Sequence, residues 1–282
     1  MTPSIDAIWL DNWPLWSVGL ILILLYAVAA EIGFRAYGIA RRNHDRSDAA
    51  DEVQVLSTAL ILLALLLGFT FSMALARYDD RRMEVVQEAN DIGTAWLRAS
   101  LVDNDAARQL QAQLKDYARS RIARTTMGNN EDAYVDLKIE GADMRTRIWA
   151  LAAAATAPEH STAQSASLIA AVNAVLDSAT RRETAIEARI PSQVLGLLLV
   201  YSVVSAALLG YVFGAYGAPH RLTGLVLFTL LAFTITLILD LDRAQGGGVK
   251  VSQQPMIDAV AGMTAPAFLP APAPAAVSET QP

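Results

Sequence analysis

The stretch LLLGFTFSMALARYDDRR, Leu65 to Arg82, decides how this chain is read. It starts inside an apolar run and ends in dense charge, with no turn residue between. A helix that continues unbroken from one to the other leaves a hydrocarbon layer and enters water. The blocks around it fit that reading. Glu52 and Arg77 bracket 24 residues free of Asp, Glu, Lys and Arg, and Asp11 and Glu31 bracket 19. Further on, Arg189 and Arg221 bracket 31, and Arg221 and Asp240 bracket 18. A bilayer core about 30 Å thick needs roughly 20 helical residues, so each block is long enough to span it.

The expected fold is therefore an all-α membrane protein with four transmembrane helices, at about 14–36, 53–76, 192–215 and 221–240. Composition agrees, with 54% hydrophobic and only 18% charged residues among 282. The first block is not read as a secretory signal, because Asp6 and Asp11 precede it where a basic segment would be needed. Trp9, Trp13 and Trp16 suit an interfacial aromatic belt instead. The absence of cysteine excludes a disulfide framework and Cys-based metal sites. A net charge of −6 with no basic stripe gives no sign of nucleic-acid binding.

Residues 1–76 form the first transmembrane pair, 77–190 a helical extramembrane domain, 191–241 the second pair and 242–265 a post-membrane segment. The Pro/Ala-rich stretch 266–282 is expected to be a disordered tail. Within 77–190 the second membrane helix should continue to about Leu101. Asp103 or Asn104 then caps a helix carrying Leu110, Leu114, Tyr117, Arg121 and Ile122 on one stripe. Two more helices are expected at about 131–156 and 161–187, the latter with Leu168, Val172, Val175, Leu176 and Ala179 on one face. Pro191 suits the first position of the third membrane helix. Counting Lys and Arg near the helix ends, eight fall on the side of this domain and five on the other. The positive-inside rule then makes the domain and both termini cytoplasmic.

LLGFTFSMALARYDD, Leu66 to Asp80, resembles the second membrane helix of bestrophin ion channels, in which an Arg beside aromatic residues follows eight residues after the Phe of a Gly-Phe pair. Phe69 and Arg77 have that spacing, and Tyr78 takes the place of the first aromatic. RRMEVVQEANDIGTAWLRASLV (Arg81–Val102) and DLDRAQGGGVKVSQQP (Asp240–Pro255) are similar to a bacterial family described only as a bestrophin-like domain of unknown function. The resemblance implies a homo-oligomer, five-fold in bestrophins, in a bacterial inner membrane, passing inorganic ions along a pore lined by the second helix. It implies a hydrophobic neck at Ile61, Leu65 and Phe69. Their i, i+4, i+8 spacing puts these three on one helix face in any case, and a narrow apolar ring gates by dewetting. The same triplet also suits a lipid-facing or bundle-packing helix. Two departures count. Asp79 stands where a second aromatic is expected, and no dense acidic cluster follows the fourth span, so calcium activation is not implied.

Other features have a functional and a plainer reading. Arg77, Asp79 and Asp80 suit a pore vestibule or a membrane-exit collar, and the collar is favoured for Arg81 and Arg82. Arg77 sits at the edge of the hydrocarbon, where it snorkels or finds an acid, and Asp240 at the matching edge of the fourth span is its candidate ion-pair partner. Glu84, Glu88 and Asp91 share a face at i, i+4, i+7. They read either as a solvated acidic face or, lining a vestibule, as a strip that concentrates cations. Gly68, Gly93, Gly210 and Gly214 are candidates for close helix packing, the last two also between subunits. Gly246–Gly248 reads as a flexible turn, since the residues of a phosphate loop are missing.

No catalytic motif is present, the three histidines are far apart, and the spans lack mid-membrane acid pairs. Neither an enzyme nor a cofactor is expected, and a coupled transporter is disfavoured. The sequence thus points to a channel embedded in lipid, with a weak lean to cations. The competing reading is a membrane-anchored interaction scaffold with no pore.

Overall fold

The computed structural model describes residues 13–40, 49–126, 131–157, 163–217, 221–244 and 247–263. The tail at 266–282, Trp9 and the three histidines lie outside these residues. The described residues form eight helices and no strand: α1 (Leu15–Ala40), α2 (Ala49–Ala99), α3 (Asp105–Thr126), α4 (Glu131–Ala155), α5 (Ala163–Glu187), α6 (Ser192–Ala215), α7 (Arg221–Asp242) and α8 (Gln254–Gly262). Helices α1, α6 and α7 and the first half of α2 are apolar and long enough to cross a membrane.

The spine is α2, whose 51 residues reach about 76 Å at 1.5 Å per residue, more than twice the bilayer core. It holds no proline, and its two glycines cost only about 1 kcal/mol each relative to alanine, so nothing breaks it at the membrane edge. It ends at a tight turn where Asn104, one of the two expected caps, closes the start of α3. The Asn104 Oδ1 accepts from the Ala107 N–H at 2.8 Å, and its Nδ2 donates to the Ala155 carbonyl at 2.9 Å. That second bond ties the loop to the end of α4. Pro191 stands one position before the expected one, as the N-cap of α6, its carbonyl accepting from Val194 at 2.9 Å.

Two cores follow from the two environments. In the membrane, α1 lies along α6 and α7, and α2 packs on α6 and α7; Tyr26, Leu63, Leu198, Phe228 and Ile238 fill the centre. Outside it, α2 packs on α3, α5 and α8, and α4 joins α3 and α5, around Ile92, Trp96, Leu110, Leu114, Val172 and Met256. Of the stripes expected on α3 and α5, Leu110, Leu114, Tyr117, Arg121, Leu168, Val172, Val175 and Ala179 are buried, while Ile122 and Leu176 are half-buried.

Glycine sets the tightest contact. A Cβ on Gly210 would sit 1.9 Å from the Ala30 carbonyl oxygen, and one on Gly33 would sit 1.9 Å from that of Ala207. A Cβ on Gly214 would sit 2.8 Å from the Tyr37 Cβ. Gly210 and Gly214 therefore do pack closely, but within one chain, between α1 and α6, because α6 presents bare backbone to Ala30 and Tyr37 of α1. The between-subunit reading of this pair is corrected.

Candidate functional site

Along α2 one face has no partner among the described residues. Ile61, Leu65 and Phe69 are 68%, 53% and 66% exposed. A Cβ added at Gly68 would meet nothing within 4 Å. Next to Phe69, Thr70 turns away and is buried, its hydroxyl donating to the Leu66 carbonyl at 2.7 Å. Such a back-bond is the cheap way to hide a hydroxyl in hydrocarbon. The open face then runs through Asp79 and Asp80, both exposed, and on past the membrane to Met83, Leu97 and Leu101, exposed by 69%, 60% and 64%. Gly93, half-buried, also has open space over its Cα.

The acidic strip is not what its spacing promised. Glu88 is fully buried, facing α3 and α5 rather than solvent or a vestibule. Its carboxylate lies 2.9 and 3.2 Å from the Arg121 Nε, accepts from Arg182 at 2.5 Å and accepts from the Tyr117 hydroxyl at 3.1 Å. Both arginines are themselves buried. Arg182 also donates to the Gln253 side-chain oxygen at 2.8 Å, which ties α8 to the same centre. Arg121 lies 3.8 Å from Glu183, which pairs with Arg145 at 3.0 Å. Burial alone would raise the Glu88 pKa, but the two guanidiniums overcome it and hold the carboxyl below its usual value. Tyr117 is pushed up to about 12 by burial, with the Glu88 charge adding to it.

Glu84 and Asp91, the ends of the strip, both meet Arg181 of α5, at 3.4 and 3.7 Å. The expected common face of the three carboxylates is real, but it is the face against which the domain packs. Only Asp79 and Asp80 remain on the open side.

At the junction of membrane and domain three further expectations change. Arg81 is buried rather than part of a solvated collar, and it donates to the Leu241 carbonyl at the end of α7. Arg82 is exposed, as a collar residue should be. Arg77, half-buried, does not pair with Asp240. The Asp240 carboxylate accepts instead from the N–H groups of Gly248 and Val249, at 2.7 and 3.1 Å. A Cβ at position 247 would stand 2.4 Å from Asp240 Oδ1, so the glycines let the backbone wrap the carboxylate. Of the turn read as flexible, Gly247 and Gly248 form a clamp that returns the chain to the domain, while Gly246 lies outside the described residues. Beside it, Asp242 Oδ1 accepts from the Ile190 N–H at 2.9 Å and fixes the entry to α6. Met256 and Met263 then bury in the domain core, and Lys115 donates to the Met263 carbonyl at 2.7 Å. The pairing of an acid at a span's end with glycines six to eight residues on was the signal in the sequence for this clamp.

These features define a class: a four-span, all-α membrane protein whose second span extends into a helical extramembrane domain closed by the C-terminal segment. The sequence matches the Bestrophin-like domain over residues 23–256, and the chain belongs to that family. Among curated proteins, none matches the sequence. Among solved structures, two mutant forms of a bacterial bestrophin homologue from Klebsiella pneumoniae are similar at 13% identity. One has a TM-score of 0.63, with 86% of this chain and 96% of that one covered, and the other 0.64, with 87% and 97%. A further structure, described as a membrane protein, is similar at 15% identity and TM-score 0.64, over 86% of this chain and 97% of that one. These likenesses establish a shared fold.

Proposed function

We propose that the protein is a homo-oligomeric, passive ion channel whose conduction path is lined by α2. One observation carries this reading: the open face of α2 does not stop at the membrane. Apolar side chains exposed within the bilayer are covered by lipid. Met83 and Leu97 lie beyond it on the same helix and the same side, with Leu101 in the turn that follows, and lipid cannot cover them. Large apolar groups left to water are a docking surface, and copies of this chain arranged about an axis along α2 would cover them. Ile61, Leu65 and Phe69 would then form the neck, with Gly68 and Gly93 allowing close approach of neighbouring copies.

The charge pattern supports a vestibule with a smaller negative charge than the sequence alone implied. Glu84, Glu88 and Asp91 are neutralised by Arg181, Arg121 and Arg182, so the lean to cations rests on rings of Asp79 and Asp80. Five-fold symmetry, the bacterial inner membrane and cytoplasmic placement of the domain and termini are part of the same proposal, as is the absence of enzymatic activity.

The chain has no cysteine, which makes cross-linking a clean test of the axis. Leu97→Cys should give intermolecular disulfide-linked species in membranes, while a cysteine at exposed Arg119 of α3, away from the open face of α2, should not. Equal cross-linking at both positions, or none at Leu97→Cys, would remove the support for an axial α2 and favour the scaffold reading.

A further inference from the structure

On the domain side of the membrane each of the four spans has one end, and a tetrapeptide at the end of α7 is bonded to the other three. Asp240 to Arg243 are the last three residues of α7 and the one after it. Each reaches a different segment. The Asp240 carboxylate accepts from Gly248 and Val249 of the strap formed by residues 247–263. The Leu241 carbonyl accepts from the Arg81 guanidinium of α2. Asp242 Oδ1 accepts from the Ile190 N–H ahead of α6 at 2.9 Å. Arg243 Nη2 donates to the Trp13 carbonyl ahead of α1 at 3.0 Å.

Helix energetics do not explain this sequence at this place. A carboxylate near a helix C-terminus opposes the helix dipole, and α7 ends on two. Both are held by backbone N–H groups that begin other segments. Arg81, Asp240, Asp242 and Arg243 are 4%, 8%, 6% and 7% exposed. Breaking one of their bonds alone strands a charge or an N–H away from water, which is costly. Opening them together lets water reach every group at once, so the junction is closed or open as a unit. The strap is the lightest piece attached to it. Its helix α8 has nine residues. It is held to the domain by the buried Met256 and Met263, by Gln253 on Arg182 and by Lys115 on the Met263 carbonyl.

We propose that Asp240–Arg243 is a two-state coupling, through which the strap and the domain-side ends of α1, α2 and α6 are fixed together or released together. A partner that lifts the strap then loosens the spans at their ends, and one that pins it holds them. Arg81 lies 12 residues beyond Phe69, about 18 Å along α2 at 1.5 Å per residue. Release therefore frees α2 beyond the proposed neck, and that consequence alone rests on the channel reading.

Hydrogen exchange of the full chain in lipid nanodiscs, read at single amides, tests the coupling. The Ile190, Gly248 and Val249 N–H groups each report one bond of the tetrapeptide. In the wild type, after correction for intrinsic rates, their protection should agree within about threefold, as for one opening reaction. Larger differences between Ile190 and the two strap amides would overturn the coupling. Arg243→Gln, which weakens the tie to Trp13, should lower protection at all three amides roughly ten- to a hundredfold, the worth of one charge-assisted hydrogen bond. Gly247→Ala, which drives a methyl against Asp240 Oδ1, should lower it at Ile190 as well as in the strap. Effects confined to residues 13–18 for Arg243→Gln, or to 247–263 for Gly247→Ala, would overturn it too. Gel filtration checks the folding of both variants, and the wild-type comparison stands without either. Conductance is not read, so failure here is separable from failure of the channel reading.

Discussion

Replacing Glu88 by Gln tests the organisation of the extramembrane domain at its centre. The carboxylate is the shared counter-charge of Arg121 and Arg182, all three buried, and it also accepts from Tyr117. Glutamine keeps the shape but strands two guanidiniums away from water with much weaker acceptors. Breaking a buried pair from one side costs about 3–5 kcal/mol. Spread over a domain of this size, each kcal/mol is worth about 3–4 °C in melting temperature, so a fall of about 10 °C or more is expected for purified protein in detergent. Removing the stranded charge as well, in Glu88→Gln/Arg182→Met, should recover part of the loss, since a buried ion pair replaced by neutral groups is often close to neutral. A melting temperature for Glu88→Gln within 2–3 °C of wild type would refute the reasoning, because less than about 1 kcal/mol would then be at stake. Strictly additive losses in the double variant would refute the coupling.

Acid should act through the same group. Its folded pKa is depressed, so its stabilisation is complete above the ordinary carboxylate value of 4.5 and disappears as pH falls through the lower folded value. Melting temperature measured from pH 7 down to 3 should drop below about pH 4.5, and drop less in Glu88→Gln. Gly210→Ala should force α1 from α6 and lower the melting temperature by several degrees, while Gly68→Ala, with open space around it, should leave protomer folding intact; equal effects would contradict the packing described. Gly247→Ala should collide with the Asp240 carboxylate and raise hydrogen exchange across residues 247–263, with unchanged protection counting against the clamp. Asp79→Asn/Asp80→Asn should move the reversal potential away from cations, whereas Glu84→Gln, already paired with Arg181, should not; a larger effect from Glu84→Gln would misplace the vestibule charge.

The fold was largely legible because hydrocarbon imposes a coarse constraint. Runs of uncharged residues long enough to cross a bilayer are rare in chains that fold in water, and the continuation of α2 past Arg77 follows from the lack of any breaker before Leu101. The site was legible only where it depends on one helix. Ile61, Leu65 and Phe69 share a face by spacing alone, and that face is open. Glu88 is hidden from the sequence for the same reason: an i, i+4, i+7 acidic strip looks identical whether it faces water or two arginines 33 and 94 residues away. Arg81 and Asp240 behave alike, since their partners are the end of α7 and a glycine turn rather than the nearest opposite charge. Gly33, the counterpart of Gly210, gives no signal of its own, because small residues mark close approach only once the crossing helix is known.

A conduction path along the open face of α2 has an electrical consequence. The most direct test is current through purified protein in planar bilayers under a KCl gradient, wild type beside Leu65→Ala/Phe69→Ala. Discrete currents that grow when the neck is trimmed are expected, with a reversal potential on the cation side. Silent bilayers from both proteins as intact oligomers, or currents unaltered by the double substitution, would contradict it.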